Sequence, residues 1–268
     1  MRLTIVPPYR GAGYAFEPHK EPYYERVLTD MRARGELDGV DLTIDPGAHT
    51  DHRSDSRDEE VFQHLGTATL ERVKAIGASG DCDAIVVLGS IDVAFHATRL
   101  VSPVPVTYPM HSAVHVASLV SDRFSLIDVT DPQAARIRRL VRGYGFGDRL
   151  GSIRVIGRSS TEISPLLRDI TADSLTPEVD QLLDELVEQS SIAVEVDRAE
   201  SLIIGFTPFQ ALRDELTRRL EAAGFGEIPL VWILSAAVAC ARVMVATGLL
   251  QAARSYPSDS LVLKPSFR

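Results

Sequence analysis

Apolar runs alternate with amphipathic stretches along most of this chain. Residues 3–6 read as a strand and 22–34 as an amphipathic helix, followed by a short strand at 40–44. Residues 58–76 form a long helical pattern opened by acids, which suit the positive end of a helix dipole. Residues 84–88 are an unbroken apolar strand with a helix after it to about residue 101. Further strands are expected at 104–108, 125–129, 153–156, 202–204 and 230–233. Helices are expected at 111–120, 131–143, 177–190, 209–223 and 234–250. Strands alternating with helices of this length predict parallel sheets joined by crossover helices. The runs Ala84-Ile-Val-Val-Leu88 and Leu202-Ile-Ile204 lack polar alternation, as strands covered on both faces should.

Two of these strands belong to one motif written twice. The first copy is Asp83-Ala-Ile-Val-Val-Leu-Gly-Ser-Ile-Asp92; the second is Glu200-Ser-Leu-Ile-Ile-Gly-Phe-Thr-Pro208. Each opens with an acid, runs through an apolar segment and ends in a small polar turn before a helical pattern. Gly89 and Phe206 stand six residues after the acid, and Ser90 and Thr207 stand seven after it. A repeated strand–turn–helix unit predicts two similar α/β halves with a cleft between the turns.

In this layout the chain resembles the aspartate/glutamate/hydantoin racemase superfamily. The resemblance implies two pseudo-symmetric parallel-sheet lobes with the active site in the cleft between them. It implies interwoven lobes, one made of residues 1–103 plus about 234–268 and the other of 104–233. In that superfamily each half carries a strand ending in a cysteine, often followed by a threonine. The two thiols flank the substrate's α-carbon and move its proton between faces. Here the hydroxyls are kept as Ser90 and Thr207, but Gly89 and Phe206 occupy the thiol positions. Other branches of the superfamily are decarboxylases, cis–trans isomerases and lyases.

Composition narrows the possibilities. A net charge of −9 and a pI near 5.3 disfavour nucleic acid and anionic membranes as partners. No apolar run reaches the roughly 18 residues of a membrane span. Cys82 and Cys240 are the two cysteines, a usage that fits a reducing cytoplasm. Cys82 precedes the first motif strand, at the end opposite its turn, and Cys240 lies in a small-residue helical stretch. Both read as buried packing residues. No cofactor and no metal site is expected. A homo-oligomer is expected, with residues 256–268 as a surface arm or partner contact.

In open parallel sheets, ligands bind beyond the carboxyl ends of the strands. Those ends carry Tyr9 and Arg10, the two motif turns, His111, and the polar stretch around Glu162. Ser90 and Thr207 are expected to hold a substrate carboxylate or amide carbonyl, or simply to cap helices. Gly89, Phe206 and Arg10 complete the expected binding set. Asp92, His111, Tyr9 and Glu162 are the candidate acid–base groups. Asp92 reads equally as a first-turn acid, His111 as a packing residue, and Glu162 and Arg10 as solvated loop residues. The expected activity is a thiol-free lyase, decarboxylase or isomerase acting on a small carboxylate or cyclic amide. The alternatives are a racemase with oxygen or nitrogen bases, such as Asp92 and Glu162 on opposite faces, and a non-catalytic small-molecule-binding protein.

Overall fold

The computed structural model of the chain describes residues 1–8, 22–46, 59–168, 170 and 175–257. Eight described strands form two parallel sheets of four. The first contains β1 (Arg2–Val6), β2 (Asp41–Ile44), β3 (Ala84–Val87) and β4 (Val106–Thr107), ordered β2-β1-β3-β4. The second contains β5 (Phe124–Asp128), β6 (Leu150–Val155), β7 (Ser201–Ile204) and β8 (Leu230–Trp232), ordered β6-β5-β7-β8. The same order recurs in both, so the doubled motif is the trace of a doubled sheet. β3, β5 and β7 are buried at every residue, which explains the unbroken apolar runs at residues 84–87 and 202–204.

The helices are α1 (Pro22–Ala33), α2 (Glu59–Ser79), α3 (Phe95–Val101), α4 (Pro109–Val120) and α5 (Asp131–Gly143). They continue with α6 (Ser160–Arg168), α7 (Pro177–Glu195), α8 (Arg213–Ala222) and α9 (Ile233–Ala246). Helix α7 starts in the expected way: Thr176 accepts from the Val179 N–H, and Pro177 fills the first turn. Helix α6 falls in what reads from sequence as a polar loop. Its Pro165 masks the helical pattern, while a capping box of Ser159 and Glu162 starts it.

The acid opening each motif is a strand clamp. Asp83 accepts from the Arg2 N–H at 2.8 Å and from its guanidinium at 2.7 Å. Glu200 accepts from the N–H groups of Asp122 at 2.8 Å and Arg123 at 3.1 Å. One acid therefore fixes the start of β1 and the other the start of β5, the same neighbour in each sheet.

The boundary expected at 103/104 shifts, because β4 pairs with β3 and carries the first sheet to Thr107. Helix α9 then packs on α4 and against β3 and β4. The largest core cluster joins Leu3, Ile5 and Val86 of the first sheet to Leu202, Ile204 and Trp232 of the second. Glu36, just beyond α1, accepts from Arg213 and from the Ser235 hydroxyl, stitching α1 to α8 and α9.

Candidate active site

The two motif turns meet. Gly89, Ser90, Phe206 and Thr207 line one cavity of about 40 Å³, together with Pro8, Gln133 and Ser160. It adjoins a wider groove of about 490 Å³ between α2, α3 and α5, and the two share Phe62, Ile91 and Val93. Arg136 and Arg139 line the outer groove.

Gly89 has φ +110°, a conformation that residues with a side chain rarely adopt. The position where the resemblance expects the first thiol is thus one that the backbone reserves for glycine. Phe206 is half-buried and packs edge-on against Phe209, with ring centroids 5.1 Å apart. It gives the second turn an apolar edge. Ser90 and Thr207 are both buried.

Thr207 opens a 3-10 turn, Thr207–Leu212, that leads into α8. Ser90 caps no helix: an irregular stretch separates it from α3. In that stretch Asp92 (φ 46°) and Ala94 (φ 58°) both adopt left-handed backbone. Such a conformation costs a residue with a side chain on the order of 1–2 kcal/mol.

Hydrogen bonds hold Asp92 in place. Its Oδ1 accepts from the Met110 N–H at 3.1 Å, and its Oδ2 accepts from the His111 N–H and the Tyr144 hydroxyl, both at 2.8 Å. Pro109 opens α4 without a cap from its own segment, so Asp92 serves as the cap from another part of the chain. Burial pushes its carboxyl up to about 7, against the pull of Tyr144 and the two amides. The carboxylate caps α4, and Asp92 also lines the outer groove.

His111 is the third residue of α4. Its ring sits among Phe95, Tyr144 and His115, with centroids 4.8, 4.9 and 4.3 Å away. Burial, aided by Arg99, lowers it to about 3, so the ring is neutral at physiological pH. It does not line the cavity. Glu162 is exposed and spends its carboxylate on the Ser159 N–H and hydroxyl, which hold it below the usual carboxylate range. Tyr9 and Arg10 lie outside the described residues, directly after the cavity-lining Pro8.

Sequence reasoning passed over two groups. Asp128 ends β5, fully buried, and Gln133 projects from the first turns of α5. The Gln133 amide donates to Ser90 Oγ at 2.7 Å and to Asp128 Oδ1 at 3.0 Å. The register of the repeat is a signal that could have found Asp128. Leu3 pairs with Ala84 and Phe124 with Ser201, so Asp128 stands where Pro7 stands in the first half.

Neither thiol lines the cavity. Cys82 is buried at the entrance to β3, and its Sγ lies 3.9 Å from the Ile76 carbonyl. Cys240 is on α9, and burial raises both thiols above their ordinary value. The double variant Cys82→Ser, Cys240→Ser should therefore keep its turnover, and iodoacetamide should leave the native protein active. A large loss of turnover in a still-folded double variant would bring a thiol back into the reaction. Among the described residues no cluster of His, Cys, Asp and Glu could hold a metal ion. Nor is any described helix long and apolar enough to cross a membrane.

Paired parallel-sheet lobes that meet at equivalent strand ends are the arrangement of the aspartate/glutamate racemase fold. The chain matches the model of the Asp/Glu/Hydantoin racemase family over residues 21–241 and belongs to that family. It is 28% identical over 190 residues to the hydantoin racemase of Pseudomonas sp. (strain NS671), covering 66% of this chain and 72% of that protein. The solved allantoin racemase of Klebsiella pneumoniae superposes with a TM-score of 0.73 at 20% identity, covering 98% of this chain and 99% of that one. A glycine-to-cysteine variant of arylmalonate decarboxylase superposes with a TM-score of 0.56 at 14% identity, covering 92% and 94%. The family is one of cofactor-independent enzymes. These likenesses favour the racemase alternative over the lyase or decarboxylase suggested by the missing thiols.

Proposed function

We propose that this protein is an isomerase that inverts a stereocentre beside a carbonyl of a small cyclic amide or carboxylate, using oxygen groups in place of thiols. The observation that carries the reading is the convergence of Ser90 and Thr207, from the two copies of the motif, on one cavity. Similarity to hydantoin and allantoin racemases supports a cyclic amide as substrate. When the α-proton leaves, the C–H electron pair passes into the enolate and charge gathers on the carbonyl oxygen. The Ser90 and Thr207 hydroxyls donate to that oxygen inside a small cavity, where pre-placed donors stabilise the developing charge. Tyr9 takes the α-proton on one face. A solvent water delivers a proton to the other face, which completes the inversion, and the Tyr9 proton then passes to solvent.

The proton transfer is assigned to Tyr9, next in the chain to the cavity-lining Pro8, with Arg10 holding a substrate carboxylate. The test is a single enantiomer of allantoin, or of a 5-substituted hydantoin, incubated in D₂O. Optical rotation should decay while deuterium enters the stereocentre. Tyr9→Phe should slow both by about 10²–10⁴-fold, the range for a general acid–base group. No label in any cyclic amide or carboxylate would remove the reading.

The absence of thiols from the cavity and the apolar Phe206 edge favour a second reading, a one-faced decarboxylation. It predicts loss of CO₂ from an α-substituted malonate, with deuterium delivered to one face.

A further inference from the structure

The chemistry above leaves Asp128 without a task, yet its surroundings are costly. Its Oδ1 accepts from the Val129 N–H at 2.7 Å and from Gln133 Nε2 at 3.0 Å. Its Oδ2 is buried without a hydrogen-bond partner and packs against Gly205, where an added Cβ would stand 2.3 Å away. A buried carboxylate this short of donors weakens the fold. Groups held in such a state cluster at functional sites.

The same Gln133 nitrogen lies 2.7 Å from Ser90 Oγ. An amide NH₂ has two hydrogens, and here it meets two oxygens. A carboxylate only accepts, so Gln133 must present its nitrogen to Asp128. Ser90 faces that nitrogen as well and must also accept. The hydrogen of Ser90 is then free to point at a ligand in the cavity.

We propose that Asp128 is a positioning residue: through the Gln133 amide it sets the Ser90 hydroxyl as a donor into the cleft. The proposal rests on the reading of the cleft as the substrate site. Protonation of Asp128 would reverse the arrangement. A carboxylic acid donates, Gln133 turns its oxygen to meet it, and Ser90 donates to that oxygen in place of the ligand.

Burial pushes Asp128 up to about 7, opposed by the Val129 N–H and the Gln133 amide. Its neighbours across the sheet are Val155 on β6 and the Ile204–Gly205 end of β7. Several charged groups of the packed elements are paired with other residues. On β6, Arg154 pairs with Asp197; on α7, Glu185 pairs with Arg158 and Asp184 with Arg219. None of them shifts Asp128.

The test follows deuterium entering a 5-substituted hydantoin, by NMR, from pH 5 to 9 (a range of roughly two units about the titration point). Native kcat should fall as pH drops below about 7. Asp128→Asn and Gln133→Leu should each lose that limb and roughly tenfold in kcat, less than the 10²–10³ of deleting the donor itself. KM should move little, and the double variant Ser90→Ala, Gln133→Leu should be no slower than Ser90→Ala. An intact acid limb in either single variant, or additive losses in the double variant, would overturn the relay. If Ser90→Ala exchanges like the native protein, the cleft reading fails by itself. The relay is then decided by the side-chain amide resonances of Gln133. They should titrate in the native protein, stay fixed with pH in Asp128→Asn, and move on Ser90→Ala. Resonances that ignore both pH and Ser90 would overturn it.

Discussion

Ser90→Ala is expected to slow turnover by about 10²–10³-fold, the usual effect of removing one donor to a developing oxyanion. Most of the loss should appear in kcat, because the carbonyl oxygen carries full charge only on the way to the enolate. Stability should fall by only about 1 kcal/mol, since the change strands one Gln133 N–H that bonded to Ser90 Oγ. Thr207→Val, which swaps the hydroxyl for a methyl of similar volume, should slow turnover in the same sense without disturbing the turn. Kinetics and thermal melting of both variants, run side by side, check this. Native turnover in both would show that the repeated turns are not where the substrate is held.

Gly205→Ala is expected to damage both fold and activity. The new methyl would lie 2.3 Å from Asp128 Oδ2 and 3.1 Å from the Ile127 carbonyl. The carbonyl is backbone in the middle of the second sheet, so it cannot withdraw. The carboxylate is the part that must move, and moving it breaks the link through Gln133 to Ser90. Overpacking of this kind typically costs about 1–3 kcal/mol. Denaturant unfolding and turnover measured on one preparation should show both losses. A Gly205→Ala protein as stable and active as the native one would mean that Asp128 is not held tightly against the turn.

The sheets were legible because their central strands are buried on both faces, so residues 84–88 and 202–204 stand out as unbroken apolar runs. The doubled acid–strand–turn unit was legible for a related reason. Asp83 and Glu200 do the same job at the same place, so they keep the same spacing to Ser90 and Thr207. Asp128 was not legible. Val129 follows it, so the strand reads one residue too long and its terminal acid looks internal to the sheet. The role of Asp92 could not be read either: it caps a helix that starts far along the chain, through a left-handed backbone with no local signature. His111 has the residue type of an acid–base group, but its aromatic surroundings and its pKa near 3 depend on packing that spacing does not reveal.

The cluster of apolar residues shared by both sheets bears on how the protein comes apart. A chain written twice invites the idea that either half is a module that can be kept and the other discarded. Yet α1, from the first half, packs on the turn after β7, and α9, which follows the last strand of the second half, lies on β3 and β4. Each half is thus the other's lid. Melting is expected as a single transition in calorimetry, and neither half excised alone would keep its core covered.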